Sequence, residues 1–161
     1  MSSNKLVIVA SAAQRVLCYK DDVLCHSYVC STAKNGLGEQ EGSECTPRGW
    51  HTVHRVIGLE LEENSVLVGR QWTGELYTPA LSATYPERDW ILSRIIQLAG
   101  MESGRNSGGN VDSLQRFIYF HGTPDSTTLG TPSSKGCVRL NNKDIIQFAQ
   151  WIKANDKIYI K

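Results

Sequence analysis

The stretch HGTPDSTTLGTPSSKGCVRLNN, residues 121–142, sets one histidine, one cysteine and one arginine among small and turn-forming residues. Cysteine attacks carbonyl carbon as a thiolate, and an isolated thiol with a pKa near ~8.5 is mostly protonated at neutral pH. A neighbouring imidazole removes that obstacle, and His121 is the histidine nearest to Cys137 along the chain. The gap between them holds Pro124, Gly130 and Pro132, so it reads as a loop that returns the chain to its start. Cys137 and His121 then form a nucleophile and base for acyl transfer.

The residues around the pair extend that chemistry. Gly136 lets the backbone turn so that successive N–H groups, that of Cys137 included, converge on a developing oxyanion, each donor being worth about 2.7–4 kcal/mol. Arg139 carries a planar fork that either clamps a substrate carboxylate or pairs with an acid such as Asp144 to brace the loop. The imidazole needs an orienting acceptor, and both Asp125 and the carbonyl of Gly122 are near enough in sequence. Spacing alone also fits a bland alternative, a buried cysteine in a glycine-rich turn.

Composition narrows the rest. The chain has 161 residues, 40% of them hydrophobic and 20% charged, the size and make-up of a single globular domain, 1–161. Seventeen basic residues face 16 acidic ones with no run of one sign, which argues against a nucleic-acid partner. The apolar runs are far too short to span a membrane. Five cysteines (Cys18, Cys25, Cys30, Cys45 and Cys137) form neither a CxxC pair nor an even framework, and free thiols fit a reducing compartment. The opening MSSNKLVIVASAAQ has no basic n-region and only a short apolar core, so it reads as a first strand. The expected location is the cytoplasm; a periplasmic protein whose export signal precedes this sequence is the alternative. His51 and His54 could join His121 and Cys137 around zinc, but three residues apart on a strand they face opposite ways. No metal and no cofactor are expected.

The elements that must position these groups are mostly strands. KLVIV (5–9), RVLCY (15–19) and VLCHSYVCS (23–31) alternate, with Lys20-Asp21-Asp22 as a hairpin turn. WHTVHRVIG (50–58) and SVLVGRQW (65–72) follow. ERDWILSRIIQLAG (87–100) has Ile91, Leu92, Ile95, Ile96 and Leu98 near helical spacing and predicts a helix stopped by Gly100. QRFIYF (115–120) is a strand delivering His121 at its end. NKDIIQFAQWIKAN, capped by Asn142, is an amphipathic helix, and Asn155-Asp156 turn the chain into a last strand, KIYIK. The sum is a mainly β (α+β) fold with about two helices. Arg70, Trp72 and Tyr77 in GRQWTGELYTP either form a lid or pack on the strands.

The run His121-Gly122-Thr123, Leu129-Gly130, Ser134-Lys135-Gly136-Cys137-Val138-Arg139-Leu140 resembles the signature of the L,D-transpeptidase (YkuD-type) catalytic domain. There the pattern is H-G-T, then L-G, then S-H-G-C-[IV]-R-[ML] and a helix. KLVIVASAAQRVLCYKDDVLCHSYVCST is similar to that domain's opening strands, TPRGWHTV to its T-P-x-G-x-F-x-I segment, and KIYIK to its closing strand. The likeness covers nearly the whole chain around a less familiar, lid-like insert at about 59–114.

The resemblance implies a β-sandwich-like catalytic domain acting on peptidoglycan stem peptides. By carry-over Cys137 attacks the carbonyl of the third residue, a diamino acid, at its bond to a fourth D-residue. His121 is base and then acid, held by the Gly122 carbonyl, and the amides of Gly136 and Cys137 make the oxyanion hole. Ser134, Lys135 and Arg139 occupy positions that shape the site and hold substrate. Lys135 departs from the family pattern, standing where a second histidine is usual; its ammonium can lower the thiol pKa or attract a carboxylate. With the cytoplasmic expectation, the implied activity is a murein tetrapeptide L,D-carboxypeptidase in cell-wall recycling, its partner a murein tetrapeptide or muropeptide. The alternatives are an L,D-transpeptidase that forms 3-3 crosslinks or exchanges D-amino acids, and an inactive murein-peptide-binding module.

Overall fold

Alternation in the first strands is what buries one face of them. In the computed structural model, which describes residues 4–161, β1 (Lys5–Ala10) buries Val7 and Val9, and β2 (Arg15–Lys20) buries Val16 and Cys18. β3 (Val23–Val29) follows a turn in which Asp21 and Asp22 have φ of 49° and 66°. That left-handed pair matches strand twist in a tight hairpin, and aspartate tolerates it better than most residues. β4 (Gly49–Ile57) comes next, then β5 (Ser65–Val68) and β6 (Gln71–Leu76). The expected single strand at 65–72 is thus a hairpin, turning at Gly69 and Arg70 with φ of 56° and 64°. A short helix, α1 (Pro79–Thr84), is capped by the Thr78 hydroxyl, which accepts from the Leu81 N–H at 3.1 Å.

The segment expected to be a helix, 87–100, is instead β7 (Ile91–Gly100). Ile91, Leu92, Ile95, Ile96 and Leu98 match helical spacing, but so does any strand buried on both faces, which reads as a continuous apolar run. Burial decides: Leu92, Ile95, Ile96 and Leu98 are all within 1% of full burial. β7 pairs with β4, with β5 and with β8 (Tyr119–Thr123). The stretch 59–114 therefore contains a central strand, and its peripheral parts are the β5–β6 hairpin, α1 and the loop after Gly100.

β8 begins later than expected, because Gln115 to Phe117 form a turn with φ of 58° at Phe117, so His121 lies inside the strand and not at its end. β9 (Val138–Asn141), α2 (Asn142–Trp151) and β10 (Lys157–Ile160) complete the chain. The cap of α2 is Asn141, whose side chain accepts from the Asp144 N–H at 2.8 Å; Asn142, the expected cap, turns inward.

The strands form one sheet in the order β3-β2-β1-β10-β4-β7-β5-β6, with β8 on β7 and β9 on β8. β10 lies parallel to β1 and antiparallel to β4, so the last strand joins the two halves. α2 packs Ile145, Phe148 and Ala149 onto Phe120, Val138 and Leu140, with the Phe120 and Phe148 rings edge to face at 5.0 Å. No helix among the described residues is long and apolar enough to cross a membrane.

Candidate active site

β8 and β9 run parallel with Phe120 opposite Val138, His121 opposite Arg139, Gly122 opposite Leu140 and Thr123 opposite Asn141. Residues opposite one another share a face, and alternate residues share it along each strand. Phe120, Val138 and Leu140 therefore go into the core under α2, which leaves Tyr119, His121 and Thr123 on the other face with Cys137 and Arg139. The expected return of the loop at 124–136 is what brings β9 alongside β8. Nucleophile and base meet on one face because both are set an odd number of positions from core residues.

The imidazole is held in one tautomer. Its Nδ1 lies 2.7 Å from the Gly122 carbonyl, which can only accept, so Nδ1 carries the proton and Nε2 keeps a lone pair. Of the two orienting acceptors weighed from sequence, the carbonyl holds the ring; Asp125 is exposed on the loop beyond. Burial lowers the His121 pKa below its ordinary value, outweighing that hydrogen bond and the nearby Asp89 charge, both of which raise it. Gly122 is required for packing, since a Cβ there would stand 2.7 Å from Asn142 Oδ1 and inside contact distance of the Leu92 carbonyl.

Cys137 Sγ donates to the Phe117 carbonyl at 3.4 Å and accepts from the Tyr119 N–H at 3.3 Å. Among the described residues it makes no hydrogen bond to the imidazole. Burial pushes the thiol up to about 11, against the weaker downward pull of the Tyr119 N–H, Arg139 and Arg116. The resting site is therefore a neutral thiol beside a neutral imidazole.

The loop before the nucleophile is tied by hydroxyls. Gly136 has φ of +130°, which favours glycine. Its carbonyl accepts from Thr46 Oγ1 at 2.9 Å, and its N–H donates to Ser134 Oγ at 3.2 Å. Ser134 Oγ in turn donates to the Cys137 carbonyl at 2.6 Å. Ser134 is thus a brace, and the Gly136 amide points at that brace in this state. Arg139 pairs with Asp89 at 3.0 Å, not with Asp144, and its Nη1 lies 3.4 Å from the Ser133 carbonyl. Its Nε is buried without a partner. Lys135 is exposed at the loop surface.

Four residues beyond those expected enter the site. Thr46, in the TPRG stretch, supports Gly136. Arg116 binds the carbonyls of Gly38, Glu39 and Cys45 at 3.3, 3.1 and 2.7 Å, anchoring the loop beside the thiol. Tyr119 donates to the sulfur, and Asp89 faces Arg139. Thr46 had a signal in its T-P-x-G context; Asp89 had none, because its approach depends on the path of the chain from α1 to β7. Of the aromatic segment, Arg70 reaches the site wall, donating to Tyr119 OH at 3.2 Å and lying 4.4 Å over the Phe117 ring. Tyr77 packs edge-on to Trp90 at 5.1 Å, while Trp72 is half exposed.

His51 and His54 face opposite sides of β4. His51 is fully buried, its Nδ1–H donating to the Gly49 carbonyl at 3.0 Å and its Nε2 accepting from the Ser113 hydroxyl at 2.8 Å. Among the described residues no group of three or more His, Cys, Asp or Glu side chains is placed to hold a metal ion.

The model of the YkuD family, described as the L,D-transpeptidase catalytic domain, matches residues 4–160. The Bacillus subtilis (strain 168) protein YkuD is 36% identical over 61 residues, which are 35% of this chain and 37% of that protein. An L,D-transpeptidase from Mycobacterium smegmatis superposes with a TM-score of 0.57 at 15% identity, over 99% of this chain and 59% of that one. L,D-transpeptidase 3 from Mycobacterium tuberculosis, in complex with a faropenem-derived adduct, gives 0.60 at 14% identity, over 99% and 61%. This chain thus spans less than two thirds of each of these relatives, and the two structures establish likeness of fold. With a match running from the first described strand to the last, the chain belongs to the YkuD-type L,D-transpeptidase catalytic domain family.

Proposed function

We propose that this protein is a cysteine acyl-transfer enzyme of peptidoglycan stem peptides, working as a murein tetrapeptide L,D-carboxypeptidase. The observation that carries the reading is the placement of Cys137 and a tautomer-locked His121 on one face of parallel strands, within a family-wide match. Cys137 Sγ adds to the carbonyl of the third residue as its proton passes to His121 Nε2. The C–N bond to the fourth residue then breaks and the amine leaves with that proton. Water adds to the thioester, giving a proton to Nε2, and the thiol departs reprotonated, with the tripeptide acid as product.

The proton balance favours attack and proton transfer in one step over a preformed ion pair. Burial raises the Cys137 thiol to about 11 and lowers the His121 imidazole, so desolvation opens a gap that disfavours the charged pair relative to the neutral one. Donors that build up on the oxyanion as it forms reduce that gap only during reaction.

The reading carries with it a place in cytoplasmic recycling of soluble murein peptides, and five free cysteines, Cys25 exposed among them, suit a reducing compartment. The test is mass spectrometry of a murein tetrapeptide incubated with the protein, with and without D-methionine, beside Cys137→Ala. Tripeptide in both tubes and none with the variant supports the carboxypeptidase. Dominant D-methionine exchange product makes it a transpeptidase instead, and no product with no thioester leaves an inactive peptide-binding module.

A further inference from the structure

The β5–β6 hairpin carries a cavity of about 320 Å³, walled by Trp72, Gly74 and Leu76 of the hairpin and by Glu60, Leu61 and Glu62 of the loop before β5. Strand register sets the face on which it opens. Trp72 stands opposite Leu67 across the hairpin, and partners share a face. Leu67 packs with Ile95 and Tyr119 in a cluster against which Leu61 and Cys137 also pack. The cavity is therefore on the same face of the sheet as the nucleophile. Along the order β6-β5-β7-β8 it lies three strand spacings from the strand that grips Cys137, about 14 Å at ~4.8 Å each.

Hydrogen bonds hold both walls while leaving their outward groups free. The Trp72 indole N–H donates to the Glu75 carbonyl at 3.0 Å, so what the half-exposed ring offers is its π face. Gly74, with φ of 88°, makes the corner of the wall, and the Thr73 hydroxyl beside it donates to the Val66 carbonyl at 3.2 Å. On the other side the Leu61 carbonyl accepts from Arg94 Nη1 at 2.9 Å, and the Leu61 N–H donates to the Gly58 carbonyl at 3.0 Å. Glu60 and Glu62 are exposed, and among the described residues neither carboxylate is in an ion pair. The cavity thus has an apolar floor of Trp72, Leu61 and Leu76 with two free acceptors on its rim. Its volume is at the low end of the ~300–1,000 Å³ of small-molecule sites, room for a single ring. A pyranose matches that pattern. One C–H face lies on the indole, and its edge hydroxyls donate to carboxylates in bonds roughly twice as strong as neutral ones.

We propose that this cavity is a subsite for the amino sugar to which a murein stem peptide is attached, its ring stacked on Trp72 and its hydroxyls donating to Glu60 and Glu62. The proposal rests on the acyl-transfer reading of Cys137 and His121 and adds to it the substrate class, a sugar-bearing muropeptide in preference to the free peptide. The reach agrees. An extended chain covers at most ~3.3–3.6 Å per residue, so the three residues ending at the scissile carbonyl span about 10 Å, and the lactyl link to the sugar covers the rest. Charge agrees as well. Glu60 and Glu62 repel the stem's own carboxylates, whereas the sugar, its acid used in the amide to the peptide, is neutral. An ammonium would also answer to two carboxylates and an indole face. That of the third residue's side chain, however, is only a few bonds from the scissile carbonyl and falls short of three strand spacings.

The experiment titrates ¹⁵N-labelled protein with N-acetylmuramyl-L-alanyl-D-isoglutamine, with the same dipeptide lacking the sugar, and with methylammonium. The Trp72 indole N–H and the Gly74 and Leu76 amides are followed by NMR. Shifts are expected with the muramyl dipeptide and not with the other two. In parallel, kcat and KM for release of the terminal residue are measured on a disaccharide tetrapeptide and on the free tetrapeptide. The expected result is a KM about tenfold lower with the sugar at similar kcat, the mark of binding equal in ground and transition states. Trp72→Ala is expected to bring the two KM values together, and Trp72→Phe to restore part of the gap. Because Trp72 is half exposed, both variants are expected to fold, and the ligand comparison on the unaltered protein stands without them. No shift with the muramyl dipeptide, a shift with methylammonium alone, or equal KM for the two substrates overturns the subsite. Cleavage of both substrates at equal KM removes the subsite and keeps the function, while sugar-dependent shifts without any cleavage do the reverse.

Discussion

The backbone N–H of Tyr119 donates to the sulfur of Cys137 at 3.3 Å, so the strand that carries the imidazole also grips the thiol. Both contacts of the sulfur are to backbone, with Phe117 and Tyr119, and both catalytic side chains are positioned by main-chain groups. Such partners do not change with rotamer, which fixes the site before substrate arrives.

A neutral resting pair has a signature in alkylation. The thiol lies near 11 and His121 below its ordinary value, so the thiolate fraction rises with pH through the whole neutral and alkaline range. The rate of Cys137 alkylation by iodoacetamide, read by mass spectrometry, is expected to climb steadily from about pH 6 to pH 9 with no plateau. A plateau starting near neutrality would show a thiolate–imidazolium pair and contradict the one-step proton transfer.

His51 sets an acid limit on stability. Burial lowers its pKa to about 4 from 6.5, so folding favours the neutral ring. That contribution is complete above pH 6.5 and is lost as pH falls through about 4, a change of about 3 kcal/mol. Urea unfolding at pH 7 and pH 4 is expected to show the drop. His51→Gln, compared at both values, should be less stable at pH 7 but lose less on acidification. Glu39, Glu102 and Asp112, whose pKa values are lowered by Arg48, the Trp50 N–H and the Gln115 N–H respectively, weaken in the same direction in both proteins.

Ser134→Ala removes one acceptor and one donor from the loop that holds the nucleophile. The Gly136 N–H and the Cys137 carbonyl lose their partner. The expected cost is about 1–3 kcal/mol of stability, with a fall in kcat of about tenfold as the thiol loses its fixed geometry. Ser134→Thr, which keeps the hydroxyl, should recover most of the loss; if it recovers none, the brace is not what matters there.

Gly122→Ala tests the close approach behind the base. The added methyl meets the Leu92 carbonyl and Asn142 Oδ1, and Asn142 is itself held by Ser93 at 2.6 Å and Asn64 at 2.8 Å. Backbone must shift, at a cost of about 3 kcal/mol, and His121 moves with it. A variant with unchanged melting temperature and full activity would mean that β8 has slack the packing does not suggest.

What could be read along the chain and what could not divide on physical lines. Asp21-Asp22 as a turn, the alternation of Val7, Val9, Val16 and Cys18, and the apolar stripe of α2 are local rules, and each appears in the fold as read. The turn at Gly136 was legible too, and its φ is +130°; Gly122 was read only for its carbonyl, and the close approach behind it to the Leu92 carbonyl and Asn142 appears only in the fold. The 87–100 segment was not, because a strand buried on both faces has no polar face to reveal its period, and only its neighbours β4, β5 and β8 tell it from a helix. The cap at Asn141 was missed by one position for a related reason: Asn142 is claimed by Ser93, distant in sequence and adjacent in space.

By itself the sequence determined the chemistry on offer, a cysteine and a histidine separated by a loop able to close, because residue type and turn chemistry are local properties. Tertiary structure decided how that chemistry is posed. It selected the Gly122 carbonyl to set the tautomer, buried the thiol so that its proton is held, turned the Gly136 amide onto Ser134, and brought Asp89 to Arg139. Each depends on desolvation or on contact between residues far apart in the chain, and neither can be summed from the residues one at a time.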